Sequence, residues 1–358
     1  MVTYDSVEDF AALEDAWNEV ALKARTPFVT HEWARAWWHA FAEDDGIAVV
    51  LQGADGAFLA GAVLCRSSRG RIRAAANEYS EDWDLVAADD ASRRSLLQGI
   101  ASLRGRQLVL SALSDASPSA ELAPETLREA GYRVAVTSEQ RSPYLELPGT
   151  WDELLATVSR NQRSKVRRYM RHLEREGKPV FRTTVAGDLD SDLERFLDLE
   201  ASGWKGKAGT AIRQDSRAVK LYTEFAHAAA ARGWLRIHLL ELDGVTIAAG
   251  YGCVMRDAAF LLKSGFDERY SRLAPGAVLR AEAMRGAIEE GLNRFEFLGA
   301  ADPHKLHWGA ELQDRLLVRG YRGTALPAYI YRHKLRPGAR RLRDRIWKDR
   351  TAATRAAA

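Results

Sequence analysis

Two stretches of the chain carry the same alternation of apolar runs and turns. Residues 47–66, IAVVLQGADGAFLAGAVLCR, place Asp55-Gly56 between two apolar runs, and residues 237–256, IHLLELDGVTIAAGYGCVMR, place Asp243-Gly244 likewise. Aspartate and glycine tolerate the positive φ of a tight turn, so each stretch predicts a β-hairpin. Downstream of the first lie a helical pattern at 91–104 and a strand pattern at 107–112. Downstream of the second lie a strand at 258–266, AAFLLKSGF, a helix at 276–290 and a strand at 294–298. The order hairpin, strand, helix, strand thus occurs twice, about 190 residues apart, which predicts two copies of one α/β unit. The junction falls at 142–150, where Pro148-Gly149 precedes Thr150-Trp151-Asp152-Glu153, the pattern of a capping box. The helical signal then lasts to Gly177, with Pro179 beyond. The expected division is a unit at 1–149, a second at 150–330 and a tail at 331–358.

The length of 358 residues and an apolar content of 46% suit two cores of this kind. Cys65 and Cys253 sit in apolar runs, have no metal-ligand spacing and predict buried inert thiols. The acidic N-terminus lacks the basic-then-apolar order of a signal peptide, and no apolar run nears the roughly 18 residues that span a bilayer, so the expected compartment is the cytoplasm. Net charge is only +3, but residues 331–350 hold nine Lys or Arg against two Asp. Such a tail suits an anionic surface, such as lipid headgroups at the inner face of a membrane, a carrier protein or RNA, although a solvated terminal helix is the commoner outcome. Arg160, Arg163, Arg167, Arg171 and Arg175 share one face of a predicted helix, which suits RNA or phosphate, although a solvated face is again the commoner outcome.

The densest chemistry lies at 263–279, KSGFDERYSRLAPGAVL, where a strand hands over to a helix. A helix start presents free N–H groups and partial positive charge, so it suits phosphates and carboxylates. Pro275 fits a first turn and Gly276 allows close approach to the backbone, so Ser271, Pro275, Gly276, Ala277 and Val278 are candidates for an anion cradle. Lys263 interrupts an apolar strand and Asp267 follows in the turn.

In this setting the sequence resembles the Gcn5-related N-acetyltransferase (GNAT) fold in tandem, as in Fem-type peptidyltransferases. Closer still, it resembles a bacterial GNAT group described as cellulose-biosynthesis-like. The stretches that carry the resemblance are PFVTHEWARAWWHAF (27–41), SPYLELPGTWDELLATVSRNQRSKVRRYMRHLE (142–174), EASGWKGKAGTAI (200–212), GWLRIHLLELDGVTIAAGYG (233–252), KSGFDERYSRLAPGAVL (263–279) and FEFLGAADPHKLHWG (295–309). The resemblance implies an α/β (α+β) fold of duplicated GNAT-type units, each a mostly antiparallel sheet flanked by helices. It also implies acyl transfer from a thioester, with acyl-CoA or acetyl-CoA as co-substrate, to the amine of a small molecule, amino sugar or lipid. An acyl-carrier protein is a second source of the acyl group. Where single-unit GNAT enzymes usually carry Arg/Gln-x-x-Gly-x-Gly/Ala, this chain reads SRLAPGAVL, with one glycine in the critical stretch. Fem-type enzymes also lack the full motif and use aminoacyl-tRNA, the runner-up donor; a non-catalytic binding module is the third reading.

For direct attack by the amine, Asp267 is the expected base or amine orienter, Lys263 or Lys305 the electrostatic stabiliser and Tyr270 the acid for the leaving group. A Lys263–Asp267 salt bridge that merely pins the loop is the structural alternative. Trp204, Lys205 and Lys207, in a glycine-flanked loop, are expected to meet substrate, as is Trp308 in the segment after strand 294–298. His304 and His307 lack acidic or cysteine partners, and no metal is expected. Glu78, Asp82 and Asp84 belong to an acidic stretch of the first unit, expected to have lost its own donor site and to wall the cleft on the acceptor side.

Overall fold

The computed structural model describes residues 1–335 except Glu43, Arg104 and Val185. The strands are β1 (Val2–Tyr4), β2 (Gly46–Gln52), β3 (Phe58–Arg66), β4 (Arg71–Ala74), β5 (Val86–Ala87), β6 (Gln107–Ser114), β7 (Arg133–Glu146), β8 (Pro179–Thr183), β9 (Leu235–Leu242), β10 (Val245–Met255), β11 (Ala258–Phe266), β12 (Arg294–Glu296) and β13 (Glu311–Tyr321). They form one continuous sheet, ordered β1-β2-β3-β4-β6-β13-β7-β12-β11-β10-β9-β8, with β5 paired to β3. The sheet is mixed and mostly antiparallel, flanked by helices. Only β4–β6 and β11–β12 are parallel among the described residues.

The repeated order of elements is present. In one half β2, β3 and β4 are followed by a helix, Asp90–Ser102, and by β6; in the other, β9, β10 and β11 are followed by a helix, Pro275–Glu289, and by β12. The β9–β10 hairpin turns on Asp243 and Gly244, both at positive φ (50° and 79°), the conformation its Asp-Gly sequence favours. The halves are tied together by their last strands. β7 follows β6 in the chain but pairs with β12, and β13 follows β12 but pairs with β6. β7 and β13 pair with each other along their length.

Period-two alternation sorts the strands' side chains between two faces. Ile47 and Val49 enter one core while Ala48 enters another. The largest core spans both halves: helices His31–Phe41 and Ser216–Ala231 meet through Trp33 and Phe225, whose rings lie edge to face at 4.9 Å. Arg232 reinforces this seam by reaching Glu32 at 2.8 Å and Glu14 at 2.6 Å. On the opposite face the cores are separate, but the exchanged strands cross between them: Val318 of β13 enters the core of the first half and Leu145 of β7 one of the second.

The capping box forms as read: Thr150 accepts from the Glu153 amide and Glu153 accepts from the Thr150 amide. The helical signal to Gly177 is two helices, Trp151–Thr157 and Arg160–Glu176, because Val158 is extended and Ser159 caps the second. Segment 204–210, expected to be a loop, contains a short helix, Trp204–Ala208. Gly206 serves that turn: a Cβ there would stand 1.9 Å from the Ala201 carbonyl oxygen. Both cysteines are buried, and burial pushes the Cys65 thiol up to about 11 and raises that of Cys253 further. No helix among the described residues is long and apolar enough to cross a membrane. The basic tail lies outside the described residues beyond residue 335.

Gly265 on β11 lets a helix backbone approach the sheet closely. A Cβ there would sit 2.6 Å from the Cα of Glu200 on helix Leu189–Ser202, against backbone that cannot rotate away. Gly265→Ala is therefore expected to lower unfolding free energy by about 1–3 kcal/mol in urea titration, whereas Gly286→Ala, with open space around it, does not.

Candidate active site

The parallel pair β11–β12 is only three residues long: Ala258, Ala259 and Phe260 oppose Arg294, Phe295 and Glu296. β11 then continues to Phe266 with no partner on that side, while the chain after Glu296 turns away through Leu298 and Gly299, both at positive φ. The divergence opens a cavity of about 520 Å³ over the start of helix Pro275–Glu289. β11 carries a bulge here: Tyr251 of β10 opposes Lys263 and Gly252 opposes Leu261, so Leu262 is the extra residue. A bulge breaks strict alternation, and Leu261, Leu262 and Lys263 all line the cavity.

The helix start is open as expected. Ala274 at its cap is left-handed (φ 52°) and has no side-chain cap, Pro275 has no N–H, and the Gly276 amide has no partner among the described residues. A Cβ on Gly276 would lie 3.2 Å from the Phe266 ring. Pro275, Gly276 and Ala277 line the cavity. Val278 does not; it is buried with Leu273 and Leu279. Arg280, one turn further along, also faces the cavity and makes no hydrogen bond or ion pair among the described residues. Burial brings its guanidinium down to about 10, still cationic at neutral pH, with the charge of Asp302 opposing the shift.

The far wall comes from the other half. Glu81, on the loop after β4, accepts from the Gly299 amide at 3.0 Å and from Gln140 Nε2 at 3.1 Å, and lies 3.6 Å from Lys263 Nζ. Its own loop is held by Trp37 Nε1 on Asn77 and by Trp83 Nε1 on the Val63 carbonyl. Glu200, which is buried, and Lys205, which is half-buried, form a second pair at 3.1 Å, and Lys205 Nζ also donates to the Ser264 carbonyl. Burial lowers the Lys205 ammonium, with Glu200 opposing that shift. Lys305 Nζ donates to the carbonyls of Leu298 and Ala300 at 2.7 and 2.9 Å, so it holds the turn at the end of β12.

These positions correct several sequence expectations. Asp267 does not line the cavity. It caps the turn Glu268–Leu273, and Arg269 holds its carboxylate and keeps it below the usual carboxylate range. The Lys263–Asp267 bridge is absent, since Lys263 faces Glu81 instead. Tyr270 and Ser271 lie off the cavity, Tyr270 against the core around Leu273. Trp308 is buried beside Trp151, ring centres 6.0 Å apart. Lys207 is exposed and pairs with Glu268. The side chain of Trp204 lies outside the described residues. Glu78 is exposed on the protein surface. Asp82 and Asp84 point to a different cavity, where Asp82 pairs loosely with Arg315 at 3.8 Å and Asp84 holds Ser117 and Arg93. The structure brings together Lys205, Lys263, Pro275, Gly276, Ala277 and Lys305, and adds Glu81, Glu200 and Arg280. Glu81 was present in the acidic stretch but had no sequence mark setting it apart from its neighbours. Arg280 was legible as the residue one turn inside the helix start. No group of three or more His, Cys, Asp or Glu among the described residues is placed to hold a metal ion.

Comparison with known proteins agrees with this architecture. Residues 160–306 match the family model described as an acetyltransferase (GNAT) domain. The chain has a GNAT fold. Similar solved structures include FemX, at 13% identity and TM-score 0.58 over 89% of this chain and 97% of that one. The C-terminal domain of a putative lysylphosphatidylglycerol synthetase from Agrobacterium fabrum aligns at 12% identity and TM-score 0.57, over 90% and 97% of the two chains. A tandem GNAT protein of the clavulanic acid biosynthesis pathway aligns at 14% identity and TM-score 0.50, over 90% and 98%. At these identities the likeness is one of fold. No curated protein matches the chain in sequence. The domain match supports acyltransferase activity.

Burial raises Asp82 to about 6, with Arg315 opposing the shift. A carboxyl whose pKa is higher folded than unfolded stabilises the fold fully below its unfolded value, and loses that contribution as pH rises through its folded value. Stability is therefore expected to fall between about pH 4 and about pH 6 by this route. Asp82→Asn should flatten that part of the profile of melting temperature against pH.

Proposed function

We propose that the protein is an N-acyltransferase that moves an acyl group from a phosphate-bearing thioester, acyl-CoA or acetyl-CoA, to an amine. The observation that carries this reading is the cleft where β11 leaves β12, directly over an uncapped helix start with an unpaired arginine one turn inside. The free amide of Gly276 and the guanidinium of Arg280 suit the donor's phosphates. The unpartnered edge of β11 suits the amide-bearing arm of such a donor, which can add to it as a strand would. In this reading the thioester lies near Lys263 and Glu81. The amine nitrogen attacks the thioester carbon, its proton passes to Glu81, the C–S bond breaks and the leaving thiolate takes up a proton. Lys263, 3.6 Å from Glu81, stabilises the oxyanion that forms on the way. Glu81 takes the role first expected of Asp267.

In this reading the second unit, 150–330, holds the donor, and the first, 1–149, contributes Glu81 and the acceptor side. The acceptor is the amine of a small molecule, amino sugar or lipid, as in the resemblance to the cellulose-biosynthesis-like and Fem-type groups. The same cleft is compatible with a thioester presented on a carrier protein, and the basic tail with an anionic membrane on the cytoplasmic side. An aminoacyl-tRNA donor is the second reading. It is favoured by the arginines of helix Arg160–Glu176, which packs through Leu173 beside the helix start, in the same core as Leu273 and Val278.

Isothermal titration with CoA and acetyl-CoA tests the donor. Saturable binding is expected, weakened roughly tenfold or more by Arg280→Ala, the scale of one lost charged hydrogen bond. Binding that is absent, together with activity that needs aminoacyl-tRNA and falls steeply with salt, selects the second reading. With a donor and an amine acceptor in hand, Glu81→Gln is expected to lower kcat by about 10²–10⁴ while leaving the melting temperature near that of the parent, the range for loss of a general base.

A further inference from the structure

A second cavity, of about 440 Å³, lies on the face of the sheet that carries the shared core. Its apolar walls include Val20, Val29, Val86 and Phe260. Its mouth is formed by exposed residues, among them Lys23, Arg25, Ala116 and Pro118. Phe260 and Glu296 sit at the last parallel rung of β11 and β12, with their side chains on this face, whereas Leu261 and Phe297 line the thioester cleft. The two cavities thus lie on either side of one rung.

Charged groups that are almost fully buried line this cavity, and their hydrogen-bonding capacity is not filled. Glu296 is 5% exposed; one carboxylate oxygen accepts from Arg294 Nε at 2.7 Å and the other, Oε2, has no partner. Arg315 is 3% exposed; Nε donates to the Glu81 carbonyl, Nη2 reaches Asp82 only at 3.8 Å, and Nη1 has no partner. Asp82 uses one oxygen to accept from the Trp83 amide and shows no hydrogen bond to the other. An unmet donor and unmet acceptors in buried charged groups are costly, and a cavity of this size holds a small ligand rather than a single bridging water. Of the neighbouring charges, Arg294 is held by Glu146, Glu296 and Gln313, and Asp84 by Arg93 and Ser117; Arg93 donates through Nη1 to Ser119 and the Leu85 carbonyl, while its Nε has no hydrogen-bond partner and faces Asp90 at 3.7 Å.

We propose that this cavity is a second binding site, for a small molecule that carries an ammonium group beside a carbonyl or carboxylate oxygen, the pattern of an α-amino acid or its amide. The ammonium supplies donors to Glu296 Oε2 and the free oxygen of Asp82. The adjacent oxygen accepts from Arg315 Nη1. A modest apolar side chain rests against Val20, Val86 and Phe260. The site uses no residue of the thioester cleft, so it stands or falls independently of the acyltransferase reading.

The test is a thermal-shift titration of the full chain at neutral pH with L-alanine, L-alaninamide, propylamine and propionate, and with acetyl-CoA as a separate arm. Alanine and alaninamide are expected to raise the melting temperature saturably. Propylamine and propionate, each with half of the pattern, are expected to give a shift at least tenfold weaker in concentration. Glu296→Gln should weaken the alanine response about tenfold or more. Because a buried substitution can harm folding, Ala116→Trp at the exposed mouth is the second variant. It should abolish the alanine response and leave the acetyl-CoA response as in the parent. Failure of both alanine and alaninamide to shift the parent overturns the proposal. So does an equal response to propylamine or propionate, or an alanine shift that survives Ala116→Trp.

Discussion

Three rungs of parallel pairing between β11 and β12 are the constraint on which the rest of the site depends. Parallel pairing cannot continue past Phe260 and Glu296, because the chain after β12 bends away through two residues at positive φ. That bend is held open by Lys305, which draws the carbonyls of Leu298 and Ala300 to one ammonium group, and by Glu81, which takes the Gly299 amide. The unpaired length of β11 then faces a cleft. A sheet edge in the middle of a protein leaves backbone groups unmet, and such an edge is tolerated where something else is there to meet them. The helix start at Pro275 stands under the same opening, so donors for an anion and an edge for an amide-bearing arm lie in one line.

Glu81 makes the cleft a joint product of both halves. Its carboxylate comes from the loop after β4, yet its partners are Gly299 of the second half, Gln140 on β7 and Lys263 on β11. Those contacts are possible because the last strands are exchanged: β13 lies between β6 and β7, and Arg315 on β13 grips the Glu81 carbonyl from the side of the second cavity. One loop of two adjacent carboxylates, Glu81 and Asp82, therefore addresses two cavities at once. A change in the loop's path would alter both.

Much of the fold was legible because it rests on local rules. Both Asp-Gly hairpins, the capping box at Thr150 and Glu153, the strand–helix–strand order around Pro275 and the mostly antiparallel sheet follow from period, turn chemistry and caps. The exchanged strands were not legible. β7 is largely polar and exposed along its middle, so it lacks the apolar alternation that marks a strand, and its partner lies more than 160 residues away. The site divided in the same way. Pro275 and Gly276 carry their meaning in their own backbone and could be read. The roles of Asp267, Glu81 and Asp82 depend on which charge stands opposite each in three dimensions. Asp267 met Arg269, two residues along, before it could meet Lys263.

The two helix starts differ in how their free amides are met, a difference on which the proposed donor site in the second half rests. Both follow the same strand order, and both stand beside a short parallel pair. The helix at Asp90 begins with Asp89 as its cap, accepting from the Ser92 amide, and with Asp90 in its first turn. Asp89 satisfies one of the free amides, and the two carboxylates together repel a phosphate. The helix at Pro275 has no side-chain cap and no acidic residue in its first turn, and Arg280, one turn inside, has no partner among the described residues. The first half answers its own helix start from within the chain; the second leaves its start to be answered from outside. The same contrast reaches the second cavity, where Arg93 on the capped helix has carboxylates beside it in Asp84 and Asp90, and Arg315 Nη1 and Glu296 Oε2, supplied by strands of the second half, have no partner.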